Sequence, residues 1–188
     1  MFADFGLGII AVIISTFLFK IQPTVWMFLF SIFFCVAPDI DFICYFSKRG
    51  DKKYDHEHRN LIHYPLIYLS LGYLLFLVFF GRIWAFIFIL SSFFHFAHDS
   101  IGIGWGVKWL YPFSNNNFAF FYLYSKKIKK GLRKIIFCFS DEEQKEISKM
   151  HGDSDWVNNI YYKWHIIAKI EFIIFIVAIF MLIFYLTK

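Results

Sequence analysis

The chain has 188 residues, is 59% hydrophobic and has a mean hydropathy of +0.57, against about 45–50% apolar residues in a soluble domain, which excludes an ordinary water-soluble globule. Its formal net charge of +5 comes largely from loops beside apolar segments, where the cytoplasmic excess of lysine and arginine accounts for it, so no nucleic acid is expected as a partner. Cys35, Cys44 and Cys138 form no CxxC pair, which points away from a disulfide scaffold and from a thiolate zinc site.

Aromatic residues make up 24% of the chain, an excess that suits lipid-facing helices and interfacial belts. A spanning helix needs about 20 mostly apolar residues. Phe2–Phe19 qualifies, and it lacks both the basic leader and the A-x-A-like site of a signal peptide, so it is expected to be retained. Residues 24–37 form a second apolar stretch that reaches about residue 46 if Pro38, Asp39 and Asp41 are tolerated within it. Residues 61–81 read as a third span and residues 83–98 as a slightly short fourth. Ile166–Leu186 is the fifth, with Lys169 and Glu171 expected to snorkel from its first turns to the interface. The expected fold is therefore all-α: a polytopic membrane helical bundle of about five transmembrane helices, forming one membrane domain over residues 1–188.

Between the fourth and fifth helices, residues 99–165 are expected to form a cytoplasmic or interfacial segment. Its run "SKKIKKGLRK" gathers Lys126, Lys127, Lys129, Lys130, Arg133 and Lys134, a composition that favours anionic lipid headgroups or a solvated loop. Ser140 followed by Glu143 is the capping-box pattern of a short surface helix. The loop at residues 47–60 and the 99–165 segment hold most of the lysines and arginines, while the opposite side has Lys20, Arg82 and Lys188. The positive-inside rule then places both large loops and the N-terminus in the cytoplasm and the C-terminus outside.

Asp39 and Asp41 in "PDID" lie at the exit of the second helix, His58 and His63 at the entrance of the third, and His95, His98 and Asp99 at the exit of the fourth. If the helices alternate in direction, all three groups emerge at one membrane face. His95 and Asp99 are four apart and so share one face of a helix, whereas His98 shares it only in part. His58 and His63, five apart, would diverge by about 140° on a continuous helix, so His58 is expected in the turn that leads into it. Charges within a membrane cost about 2.5–3.5 kcal/mol each, and no buried lysine or arginine accompanies these carboxylates. A divalent metal offsets them most simply, because carboxylate with imidazole suits zinc first, and manganese or iron as alternatives. One or two ions fit the number of donors. Solvated helix ends, a polar loop and a buried His–Asp pair are the plainer readings of the three pieces; their common face favours a shared site. His56, His151 and His165 match no such spacing.

The order "PDID", "HRNLIH", "HFAHD" and then a glycine-rich turn with "YPF", from Pro38 through Phe113, resembles the membrane-bound metal-dependent hydrolases called YdjM-like, a family of bacterial inner-membrane proteins. The corresponding residues are Asp39, Asp41, His58, Arg59, His63, His95, Asp99 and Pro112. The family commonly reads HRGxTH, and Asn60 and Ile62 here replace its glycine and threonine, which removes a hydroxyl beside the histidines. The family is distantly similar to zinc-dependent phospholipase C and P1-type nucleases, which implies phosphoester hydrolysis by fold-level analogy.

The expected function is metal-dependent hydrolysis at the cytoplasmic face of the inner membrane, on a lipid or lipid-linked phosphoester. Asp39, Asp41, His58, His63, His95 and Asp99 are the expected ligands, Asp41 or Asp99 the general base, and Arg59 a phosphate-binding fork. In "GIGWGVKWLYPF", Gly102, Gly104 and Gly106 permit close backbone approach, while Trp105, Trp109 and Tyr111 are residues typical of the headgroup level. A metal or proton transporter is the alternative, but it should carry ionisable residues on both sides of the membrane midplane. A structural protein with an architectural metal is the third, and it requires a closed site.

Overall fold

The computed structural model describes residues 2–40 and 63–187. In chain order these form α1 (Phe2–Phe19), α2 (Val25–Val36) with a 3-10 turn at Ala37–Asp39, α3 (Pro65–Phe80), α4 (Arg82–Asp99), β1 (Asn117–Leu123), β2 (Leu132–Phe139), α5 (Asp141–His151), a π-helical turn at Asn158–Tyr162 and α6 (Ile166–Leu186).

The expectation of an all-α bundle with about five spans is overturned. β1 and β2 pair antiparallel, Asn117 opposite Phe139 and Leu123 opposite Leu132, so the fold mixes helix and sheet. Aromatic and β-branched runs on either side of a lysine-rich turn with Gly131 are a hairpin signal that the basic composition obscured. Among the described residues, α1 and α6 are the two helices long and apolar enough to cross a membrane by length and composition. α2 and α3 are apolar but have only 12 and 16 residues. α4 has 18, but it begins with Arg82 and its second half carries Ser91, Ser92, His95, His98 and Asp99, which make it less apolar than α1 and α6.

The chain divides into two compact units: residues 1–38, 69–95 and 163–188 form the first, and residues 39–68 and 96–162 the second. In the first, α1 packs against α2 and α6. Gly8 allows this approach, because a Cβ there would lie 2.9 Å from the Cα of Ile32; small residues at helix contacts are how apolar helices associate where lipid removes the hydrophobic drive. Ile9 and Ile13 meet Ala178 of α6, and Val12 meets Met27 and Ile87. Buried hydroxyls in this unit bond to main-chain carbonyls: Ser15 donates to Ala11 at 2.6 Å, Thr16 to Val12 at 2.9 Å and Ser31 across to Gly8 at 2.7 Å. Each thereby satisfies a polar group where no water is available. Glu171 was expected to snorkel, yet it is 3% exposed, while Lys169 is exposed.

The second unit is built around the hairpin. Trp105, Ala119, Leu123 and Phe137 form its core, with Leu132, Phe139 and Ile147 packed against them. Trp105 is therefore a core residue, and the expectation of a headgroup-level tryptophan does not hold there. Gly106 has φ +97° and lies against the Phe118 backbone, a position that only glycine fills without strain. The Val107 amide donates to Phe118 and the Phe118 amide back to Val107, at 3.0 and 2.9 Å. Ser140 caps α5 in a full capping box with Glu143. Asp141 accepts from Lys108 and Asn117, each at 2.9 Å. Asp153 accepts from Tyr124 at 2.8 Å and from Asn159 at 2.7 Å.

These contacts set the ionisation of the second unit. Burial pushes Asp141 up, but the bonds from Lys108 and Asn117 outweigh it and hold the carboxyl below its ordinary value. The same balance, with Asn159, the Asp155 amide, Tyr124 and Lys126 as donors, lowers Asp153. Tyr124 moves the other way: burial, and then its bond to the Asp153 carboxylate, push the phenol up to about 12.

Candidate metal centre

Three ends of the chain supply the site. The proline-containing turn after α2 ends on Asp39, because Pro38 stops the helix and frees irregular backbone. His63 stands two residues before Pro65 opens α3, the helix position where a missing N–H costs least. Asp99 is the last residue of α4. His95 lies one turn earlier on that same unbroken helix, so the two side chains share a face.

Asp39, His63, His95 and Asp99 each offer a ligand atom, and these atoms all lie within 4.8 Å of one another. Both histidines are buried and both carboxylates half-buried. His63 Nε2 is 3.2 Å from Asp99 Oδ2. His63 and Tyr68 both set their rings edge-on to Phe96, and Trp109 donates its indole N–H to Ser100 at 2.8 Å. The polar cluster is thus bordered by aromatic side chains, which lower the local dielectric and raise the cost of uncompensated charge.

The donor set suits a divalent metal. Two imidazoles with two carboxylates match zinc, manganese or iron, and no cysteine joins them among the described residues. Donor atoms no more than 4.8 Å apart are close enough for one ion to be shared among them after small side-chain adjustments.

Of the residues expected from the sequence, Asp39, His63, His95 and Asp99 come together. Asp41, His58 and Arg59 lie outside the described residues. His98 is half-buried and does not belong to the cluster. Pro112 lies in a turn before β1. His151 serves the second unit instead, meeting the Ser125 hydroxyl at 2.9 Å. His165 caps α6, accepting from the Ile167 amide, and burial lowers its pKa.

One residue escaped the sequence reading. Asp4, in the first turn of α1, is 2% exposed, and its Oδ1 lies 3.4 Å from His95 Nδ1. A carboxylate behind an imidazole fixes the tautomer and turns the opposite nitrogen outward as a ligand. The only available signal was an aspartate inside an otherwise apolar span, and its nearness to the chain start makes it look like a solvated helix end.

The family model described as YdjM inner membrane protein matches residues 3–188, far beyond the motif region alone. No curated protein and no solved structure matches the chain.

Proposed function

The chain belongs to the YdjM inner membrane protein family, and from that premise we propose that it is a metal-dependent hydrolase acting on a phosphoester of a lipid or lipid-linked substrate at the cytoplasmic face of the membrane. The observation that carries this reading is the convergence of two imidazoles and two carboxylates within 4.8 Å in a chain otherwise dominated by apolar residues.

A divalent ion held by Asp39, His63, His95 and Asp99 would supply Lewis acidity for the phosphoryl group and for water. The chain's own residues do the rest. Asp39 and Asp99 bring negative charge that offsets the ion's, and His63 and His95 bind as neutral imidazoles. Asp4 holds His95 by its Nδ1 edge. Asp99, half-buried, would take a proton from the attacking water as the water oxygen bonds to phosphorus; the bond from phosphorus to the leaving oxygen breaks, and the leaving alkoxide takes that proton from Asp99. Arg59 would grip a phosphate oxygen with its planar guanidinium, and Asp41 and His58 would complete the donor set.

Elemental analysis tests the reading first. Detergent-purified parent protein should carry one or two equivalents of zinc, manganese or iron, and His95→Ala and Asp39→Ala proteins of equal folded yield should lose them. The loaded parent should release product from a lipid phosphoester in a chelator-sensitive manner. A parent that binds no metal after reconstitution overturns the hydrolase mechanism.

A further inference from the structure

We propose that the β1–β2 hairpin of the second unit rests on an anionic lipid surface, entering it with the apolar side chains exposed at its bulge and holding it with the lysines of its turn and the adjoining strand. The proposal is independent of the metal centre.

The hairpin has an irregularity in the register between Phe120 and Phe121: Phe120 pairs with Ile136 but Phe121 with Lys134, which leaves Ile135 without a partner across the ladder. Phe121 takes φ +60° there, an uncommon conformation for a bulky residue. At this bulge Phe121 is 62% exposed and Ile135 75%, and Ile128 in the turn and Ile136 beside the bulge are exposed too. A hairpin in water would turn such residues inward, as the same strands do with Ala119, Leu123 and Phe137.

Around these apolar residues stand Lys126, Lys127, Lys129, Lys130, Arg133 and Lys134, all exposed, and residues 121–136 contain no aspartate or glutamate. Lys126 is already engaged, 3.3 Å from Asp153. The others present uncompensated positive charge beside bare apolar side chains. Apolar residues interleaved with lysine are what the lipid interface accepts: the aliphatic stems lie along the hydrocarbon boundary and the ammonium groups reach anionic headgroups. An acidic protein surface would match the charge but would not account for Phe121 and Ile135 projecting at a bulge in an inner membrane protein.

The test uses the full chain in lipid nanodiscs of phosphatidylcholine alone or mixed with phosphatidylglycerol. Trypsin cleavage after Lys127, Lys129, Lys130 and Arg133 is followed by mass spectrometry, with cleavage after exposed Lys149 on α5 as the internal control. Phosphatidylglycerol should slow cleavage in the hairpin by about tenfold or more relative to Lys149, and high salt should restore it. Phe121→Ser with Ile135→Ser should abolish the protection in a protein that keeps its far-ultraviolet circular dichroism. Equal relative cleavage in the two lipids overturns the proposal, as does protection that survives the double substitution. Should that variant fail to fold, a nitroxide at Ile135→Cys in a chain whose own cysteines are replaced by serine decides: shielding from an aqueous nickel chelate only in phosphatidylglycerol supports the proposal, and equal accessibility in both lipids overturns it.

Discussion

His63 Nε2 and Asp99 Oδ2 lie 3.2 Å apart, although one residue precedes the helix that starts at Pro65 and the other ends the helix that starts at Arg82. The pair can act as an ion pair or as two ligands of one metal, and the two roles differ in what substitution does. As ligands, His63→Ala and Asp99→Ala should each weaken zinc binding by about 100-fold or more, beyond the usual loss for an outer partner. Chelator competition on detergent-solubilised protein measures this, and parental affinity in either variant would remove that residue from the site.

Asp4 acts on His95 from behind, so its removal should be milder. Asp4→Ala is expected to weaken zinc binding by about 10- to 100-fold, and Asp4→Asn by less, since an amide oxygen still accepts the imidazole N–H. Full affinity in a folded Asp4→Ala protein would show that the 3.4 Å contact does not orient the ligand. Failure of the parent itself to bind zinc would instead count against the metal reading as a whole.

Close approach of α1 to α2 depends on Gly8. Gly8→Ala places a methyl group 2.9 Å from the Ile32 Cα, and backbone cannot yield as a side-chain tip can. The substitution should cost about 1–3 kcal/mol, read as a lower thermal midpoint in detergent. An unchanged midpoint would mean that the helices separate freely.

The second unit should lose stability at both extremes of pH. Asp141 and Asp153 have folded values lowered from 3.8, so the stability they contribute is present above about pH 4 and is lost as pH falls through the folded values. Tyr124 is raised from 10.0 to about 12; its contribution is complete below pH 10 and is lost as pH rises toward 12. Tyr124→Phe should therefore flatten part of the alkaline decline and leave an acid limb that still depends on Asp141 and on Asp153, which keeps its bonds from Asn159, the Asp155 amide and Lys126. Near-ultraviolet circular dichroism against pH checks both limbs, and an alkaline limb unaltered by Tyr124→Phe would contradict the assignment.

Ser140→Ala removes the hydroxyl that accepts from the Glu143 amide at 3.2 Å and leaves the reciprocal bond from the Ser140 amide to Glu143 without its counterpart. The loss should be about 1 kcal/mol, seen as faster hydrogen exchange in the first turn of α5. Ser140→Asp should restore it, because aspartate caps as well and also favours a helix N-terminus.

Sequence alone determined what local chemistry can specify. The apolar lengths of α1 and α6, the proline before Asp39, the one-turn spacing of His95 and Asp99 and the capping box at Ser140 are all properties of a short stretch and its solvent. The hairpin was missed because its lysine-rich turn suggested a solvated loop, whereas the pairing of β1 with β2 that defines it is a nonlocal contact. Asp4 was missed for a related reason: nothing near it in sequence shows that it meets His95. Trp105 looked interfacial until the fold buried it against Ala119, Leu123 and Phe137. Tertiary structure decided which polar residues converge and which aromatics are core, because convergence depends on helix packing and strand register rather than on the residues' own preferences.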